Sequence, residues 1–116
     1  MDKNKYSGIL RHMALPKGFS RETFERNSRI YKLMANAKRL EILNLLNMGE
    51  MTVSQLVKEM NIRKANVSQH LAILRYLKLV NVRRVGKNAF YSLTDPRIVE
   101  PCKIMNELWS SKKFNI

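Results

Sequence analysis

The segment NIRKANVSQHLAILRYLKL, residues 61–79, runs directly into VNVRRVGKNAFYSL, residues 80–93. In the first part Val67, Leu71 and Leu74 recur at i, i+4 and i+7, the spacing of one helical face, which predicts a helix from about Lys64 to Lys78. Asn66, Gln69, His70 and Ile73 then project from its other faces. In the second part Val80 and Val82, then Ala89, Tyr91 and Leu93, alternate with polar neighbours on either side of Val85-Gly86-Lys87-Asn88. That is the pattern of a β-hairpin with glycine at its tip. The window between Met60 and Thr94 also holds seven cations and no Asp or Glu: Arg63, Lys64, Arg75, Lys78, Arg83, Arg84 and Lys87. A helix followed by a basic hairpin is what a winged helix-turn-helix presents to DNA.

Upstream of this window Leu56, Val57 and Met60 give a shorter helix its inner face. Ser54 is its expected N-cap, and Asn61 the left-handed turn residue after it. Met51 to Val53 reads as a short extended link. Ala37 to Met48 predicts a helix that Gly49 stops, and because Leu40, Ile42, Leu43 and Leu46 spread over several faces it is expected to be the most buried. Ser20 is expected to cap a further helix reaching about Ala35, with Phe24, Tyr31 and Met34 sharing a face. Beyond the hairpin, Asp95-Pro96 supplies an N-cap and a first-turn proline. A last helix is predicted from there to about Ser110, with Ile98, Cys102, Met105 and Trp109 as its stripe. The expected architecture is mostly α with a small β-hairpin wing, in the order α-α-α-α-β-β-α. Residues 19–112 form the expected DNA-binding and dimerisation domain. Residues 1–18, with Lys3, Lys5, Arg11 and Lys17 against Asp2, read as a basic arm, flexible or lightly docked.

Composition bounds the partners. At 116 residues the chain fits one domain, and its formal charge of +13 favours a nucleic acid or an acidic membrane surface. No apolar run approaches the roughly 20 residues that span a bilayer, and the first residues lack the apolar core of a secretory signal, so a cytoplasmic location is expected. Cys102 is the only cysteine, which excludes an intrachain disulfide.

Two short helices separated by Met60-Asn61-Ile62-Arg63 match a helix-turn-helix. Gln69 can pair with adenine edges, while Asn66 and Ser68 can bond bases or phosphates. Arg63 and Lys64 at the helix start are expected at phosphates, and Arg83, Arg84 and Lys87 along the backbone or in the adjacent minor groove. His70 stays open among a base contact, a phosphate contact and packing. Any one of these cations could equally belong to a solvated face. Cations, turn and hairpin arriving in this order argue against that reading for the window as a whole.

With these residues in view the chain resembles the ArsR family of dimeric winged-helix repressors. The matching stretches are KRLEILNLLNMGEMTVSQL, VSQHLAILRYLKLV and RRVGKNAFYSL with Asp95-Pro96, together about residues 30–100. The resemblance implies a sequence-specific regulator whose recognition helix enters the major groove of an inverted repeat. Its wing would touch the flanking backbone, and its first and last helices would build a homodimer. Arg63 departs from the pattern, standing where many members have a serine-like cap. Members that sense metals on the third helix carry a Cys-Val-Cys spacing; here Met51-Thr52-Val53-Ser54 offers hydroxyls and no thiolate. Neutral hydroxyls are poor ligands for soft ions. Members that sense metals on the last helix use Asp and His; this helix has Asp95, Glu100 and Glu107 but no histidine. No transition-metal site and no cofactor are expected. Others switch on a cysteine pair in the second and last helices, and here Asn44 leaves Cys102 without its mate.

Burying Trp109, Met105 and Cys102, with Leu108 beside them, suits a two-fold contact that Phe24 and Tyr31 of the first helix would join. Cys102 is then a small apolar residue at that face or, alternatively, a lone redox-responsive thiol. Two other classes compete with a homodimeric DNA-binding repressor. A winged-helix protein–protein module would dilute the charge on the recognition surface. An enzyme would need a nucleophile–base pair or a phosphate-binding loop, and the sequence shows neither.

Overall fold

The computed structural model describes residues 16–110. The chain divides into two compact units, residues 1–32 and 33–116. Most of the expected N-terminal arm lies outside the described residues.

In the first unit Ser20 caps helix α1 (Arg21–Met34), its hydroxyl accepting the Thr23 N–H at 3.2 Å. Phe19 just before the cap stacks on Phe24 one turn in, with ring centroids 5.5 Å apart. This staple fixes how the chain enters the helix. No residue of α1 is buried.

The second unit carries the core. Helix α2 (Ala37–Leu46) is capped by Asn36, whose side chain accepts the N–H groups of Lys38 and Arg39. It contributes Ile42, Leu43 and Leu46 to the buried set, one more than the next helix and as many as the one after it, so it is not alone the most buried. Strand β1 (Met51–Thr52) and helix α3 (Val53–Met60) follow. The cap of α3 is Thr52, not the expected Ser54. Thr52 and Gln55 form a reciprocal capping box in which each side chain takes the other's N–H, at 2.8 and 3.2 Å. A cap at Ser54 would forfeit that pair. Asn61 is left-handed as expected, with φ 53° and ψ 46°.

Helix α4 (Lys64–Tyr76) buries Val67, Leu71 and Leu74 completely or nearly so. It starts at Arg63, which gives no side-chain cap bond, and it stops two residues before the predicted Lys78. Lys78 itself turns left-handed (φ 61°), so that Leu79 N–H reaches Leu74 O and Lys78 N–H reaches Arg75 O. This pair of bonds is a Schellman ending, built here without glycine.

Strands β2 (Val80–Val85) and β3 (Asn88–Leu93) pair antiparallel from Val80↔Leu93 to Val85↔Asn88, with Gly86 at φ 58° in the two-residue turn. The link predicted at 51–53 is a third strand: Met51 and Thr52 pair with Tyr91 and Phe90, giving the order β1-β3-β2. Thr94 fastens the hairpin base to the exit of α4, its hydroxyl donating to Lys78 O and its N–H to Leu79 O. The expected single last helix is broken in two, a 3-10 turn (Pro96–Val99) capped by Asp95 and then helix α5 (Glu100–Ser110). Pro101 has no N–H to give Arg97 O, which takes the Glu100 N–H instead. Among the described residues no helix is long and apolar enough to cross a membrane.

Candidate nucleic-acid interface

Three fully buried side chains on one face of α4 decide what its other faces do. Val67, Leu71 and Leu74 lock the helix against α2 and α3, and the turn at Asn61 sets the angle between α3 and α4. Lys64, Asn66, Ser68 and Gln69 are consequently exposed, together with Arg63 at the cap. Tyr76, seven residues beyond Gln69 and so on the same face, is 80% exposed. The sequence reading passed over it, although counting two turns from Gln69 would have found it.

His70 is placed differently from its neighbours. It is half-buried, and its Nδ1 is a buried atom with no partner among the described residues. Burial, then the charges of Arg39 and Lys38 at the start of α2, push its pKa below the ordinary imidazole value. Arg39 is held there by donating from Nη1 to Leu33 O at 2.7 Å, and its own Nε is likewise buried and unpartnered. Of the three options the sequence left for His70, packing between helices is the one this environment fits.

The wing separates its three cations. Arg83 is ion-paired with Glu50, just before β1, and its guanidinium lies 4.8 Å from the Phe90 ring centroid. The bond from Arg83 holds the Glu50 carboxyl below its usual range, and Glu50 raises Arg83 in turn. Arg84 and Lys87 are exposed, and among the described residues neither they nor Arg63 and Lys64 form an ion pair. Arg75 is exposed near the end of α4, and Lys78 serves the backbone turn.

The residues expected at a dimer face fall in both units. Phe24 and Tyr31 in the first are 45% and 63% exposed. In the second, α5 has no buried residue: Met105 and Trp109 are exposed, with Ile104 beside them, while Leu108 and Cys102 are half-buried. Cys102 turns inward, its sulfur accepting from the Asn44 amide of α2 at 3.6 Å. Asn44 therefore stands opposite the thiol where a second cysteine would be needed for a dithiol switch.

The residues at the third-helix metal position do not fit a soft ion. The Thr52 oxygen accepts the Gln55 N–H at the cap, and among the described residues no group of three His, Cys, Asp or Glu side chains could hold a metal. Asp95 is committed as well. Side-chain and backbone bonds from Arg97 hold its carboxyl at about 2.

Residues 36–82 match the model of the bacterial regulatory protein arsR family. The transcriptional activator HlyU of Vibrio cholerae is 34% identical over 80 residues, which cover 69% of this chain and 74% of HlyU. The chain belongs to the ArsR family. A second ArsR-type relative, the transcriptional repressor SmtB homolog of Synechocystis, is 32% identical over 84 residues, covering 72% of this chain and 64% of that protein. The solved structure of Vibrio cholerae HlyU superposes with a TM-score of 0.68 at 30% identity, over 78% of this chain and 99% of that one. The homodimeric winged helix-turn-helix DNA-binding domain Mb0332 of Mycobacterium bovis shares the fold, with a TM-score of 0.70 at 23% identity over 87% and 99% of the two chains. As an ArsR-family member the chain is a DNA-binding transcriptional regulator and not an enzyme.

Proposed function

We propose that this regulator acts as a homodimeric repressor on an inverted-repeat operator and does so without sensing a transition metal. The observation that carries the DNA reading is the division of α4: three side chains fully withdrawn into the core, and Lys64, Asn66, Ser68 and Gln69 left on the outside. A helix so fixed can enter a major groove at one angle. Its polar residues read base edges, and Arg63, Lys64, Arg84 and Lys87 neutralise phosphates.

Dimerisation is supported by the apolar surface on α5, where Ile104, Met105 and Trp109 are 52%, 52% and 42% exposed. That surface is self-complementary material for a two-fold contact, and the similar Mb0332 domain is homodimeric. Two recognition helices about 34 Å apart would then read successive half-sites. The absence of metal sensing rests on the hydroxyls at Thr52 and Ser54, on a last helix without histidine, and on an Asp95 already paired with Arg97.

Genomic selection of bound fragments, followed by binding titrations with added salt, tests this. A specific fragment should emerge and its affinity should fall linearly on a log–log plot against salt. Gln69→Ala should relax base preference, while Lys87→Ala should weaken all DNA alike. Affinity indifferent to salt, or no enriched fragment, rules the reading out. Zinc added to the complex should leave affinity unchanged.

A further inference from the structure

A cleft of about 200 Å³ lies where the start of α3, the start of α4 and the wing tip meet. Lys64 and Lys87, from elements far apart in sequence, both line it, as do Ser54 and Asn88, with no carboxylate among its lining residues. Resting on the DNA-binding reading above, we propose that these four residues form one seat for a single backbone phosphate of the operator.

Three features point to a phosphate. Two exposed ammonium groups line one cleft, and neither forms an ion pair among the described residues, so both are available to an anion seated there. In the capping box the Thr52 oxygen only accepts, from the Gln55 N–H, so its hydroxyl, which also lines the cleft, keeps a proton to donate. Ser54, at the second position of α3, keeps a hydroxyl and a backbone N–H that has no acceptor within the helix. The size points the same way: the cleft is below the roughly 300–1,000 Å³ of a small-molecule effector site, and hydroxyl, amide and ammonium groups dominate its lining, with Val53 and Ala89 as the apolar members.

The seat assigns the wing a definite task. Lys87 closes on the same phosphate as the start of the recognition helix, rather than reaching onward into the neighbouring minor groove. Recognition helix and wing then hold a common register on the duplex, because one phosphate belongs to both.

The test uses the full chain and a fragment from the genomic selection, with Lys64→Ala, Lys87→Ala and the double variant. Each single should weaken binding roughly three- to tenfold, in the range of an exposed charge-assisted contact. The double should lower the log–log salt slope by about 0.9 per half-site, the value for one phosphate, and not by about 1.8. A neutral methylphosphonate linkage, placed at symmetry-related positions in both half-sites and scanned along the fragment, should at one such pair make both substitutions silent. Arg84→Ala, on the wing outside the cleft, should keep its full effect on that modified fragment. Additive losses with a slope change near 1.8, or two different linkages silencing the two lysines, overturn the shared seat and leave DNA binding intact. Wild-type protein that fails to bind DNA in a salt-dependent way removes the DNA reading and the seat with it. Matching circular dichroism melts show whether a variant has merely unfolded.

Discussion

Glu50→Gln is expected to strengthen DNA binding. In the folded chain Glu50 holds Arg83 by two guanidinium bonds, and Phe90 supports the guanidinium from its face. The most obvious wing cation is therefore already neutralised, although the sequence placed it among the phosphate anchors. Replacing the carboxylate with an amide keeps shape and one acceptor but removes the charge, so Arg83 becomes available to a phosphate. One further neutralised phosphate steepens the log–log salt slope by about 0.9 per half-site. Between 50 and 200 mM salt that slope alone changes affinity by roughly 3.5-fold per half-site relative to wild type, with the gain largest at the low end. Fluorescence anisotropy of a labelled operator fragment across that range reads both quantities. Arg83→Ala should cost wild type less than Arg84→Ala does, and in the Glu50→Gln background it should erase the gain. An unchanged slope in Glu50→Gln, or a gain that survives Arg83→Ala, would refute the idea that Glu50 withholds Arg83 from DNA.

Lys78→Gly should stabilise the fold by up to about 1 kcal/mol in urea denaturation, because the left-handed strain on a non-glycine residue exceeds the extra unfolded-chain entropy of glycine; a lower midpoint would contradict the Schellman ending described. Thr52→Ala should cost about 0.5–2 kcal/mol by the same assay, whereas Ser54→Ala should be near neutral, and the reverse order would restore Ser54 as the cap. His70 is kept below its ordinary pKa, so the unfolded chain binds its proton first. The stability from a neutral His70 is then complete above about 6.5 and declines as pH falls below it. Replacing it with glutamine should flatten that decline while changing base preference less than Gln69→Ala; an NMR titration placing His70 at or above the usual imidazole value would refute the packing role.

Much of the fold was legible because it depends on short-range rules. The i, i+4, i+7 spacing of Val67, Leu71 and Leu74 marked the buried face of α4, and glycine at the hairpin tip marked the wing turn. Asn61 was readable as left-handed since few other side chains tolerate that region. The misreadings have local causes of another kind. Two hydroxyl residues stand at 52 and 54, and the Thr-x-x-Gln spacing from Thr52 to Gln55, which Ser54 lacks with Val57 three residues on, was the overlooked signal that decides between them. No rule of composition anticipates a lysine in a left-handed helix ending, and the sequence reading gave Pro96 its first-turn place but passed over Pro101, at which the last helix is split.

The candidate interface divides in the same way. Periodicity, the acid-free run of cations and the turn between two helices together determined that this chain presents a basic helix and wing, since these follow from residues close in sequence. Which cations are available was decided only by the tertiary structure. Glu50 lies outside the acid-free window yet reaches Arg83, and His70 sits beside Arg39 and Lys38 from another helix. Lys64 and Lys87 share a cleft although 22 residues separate them. Charge acts through space, so its partners are set by packing and not by order along the chain.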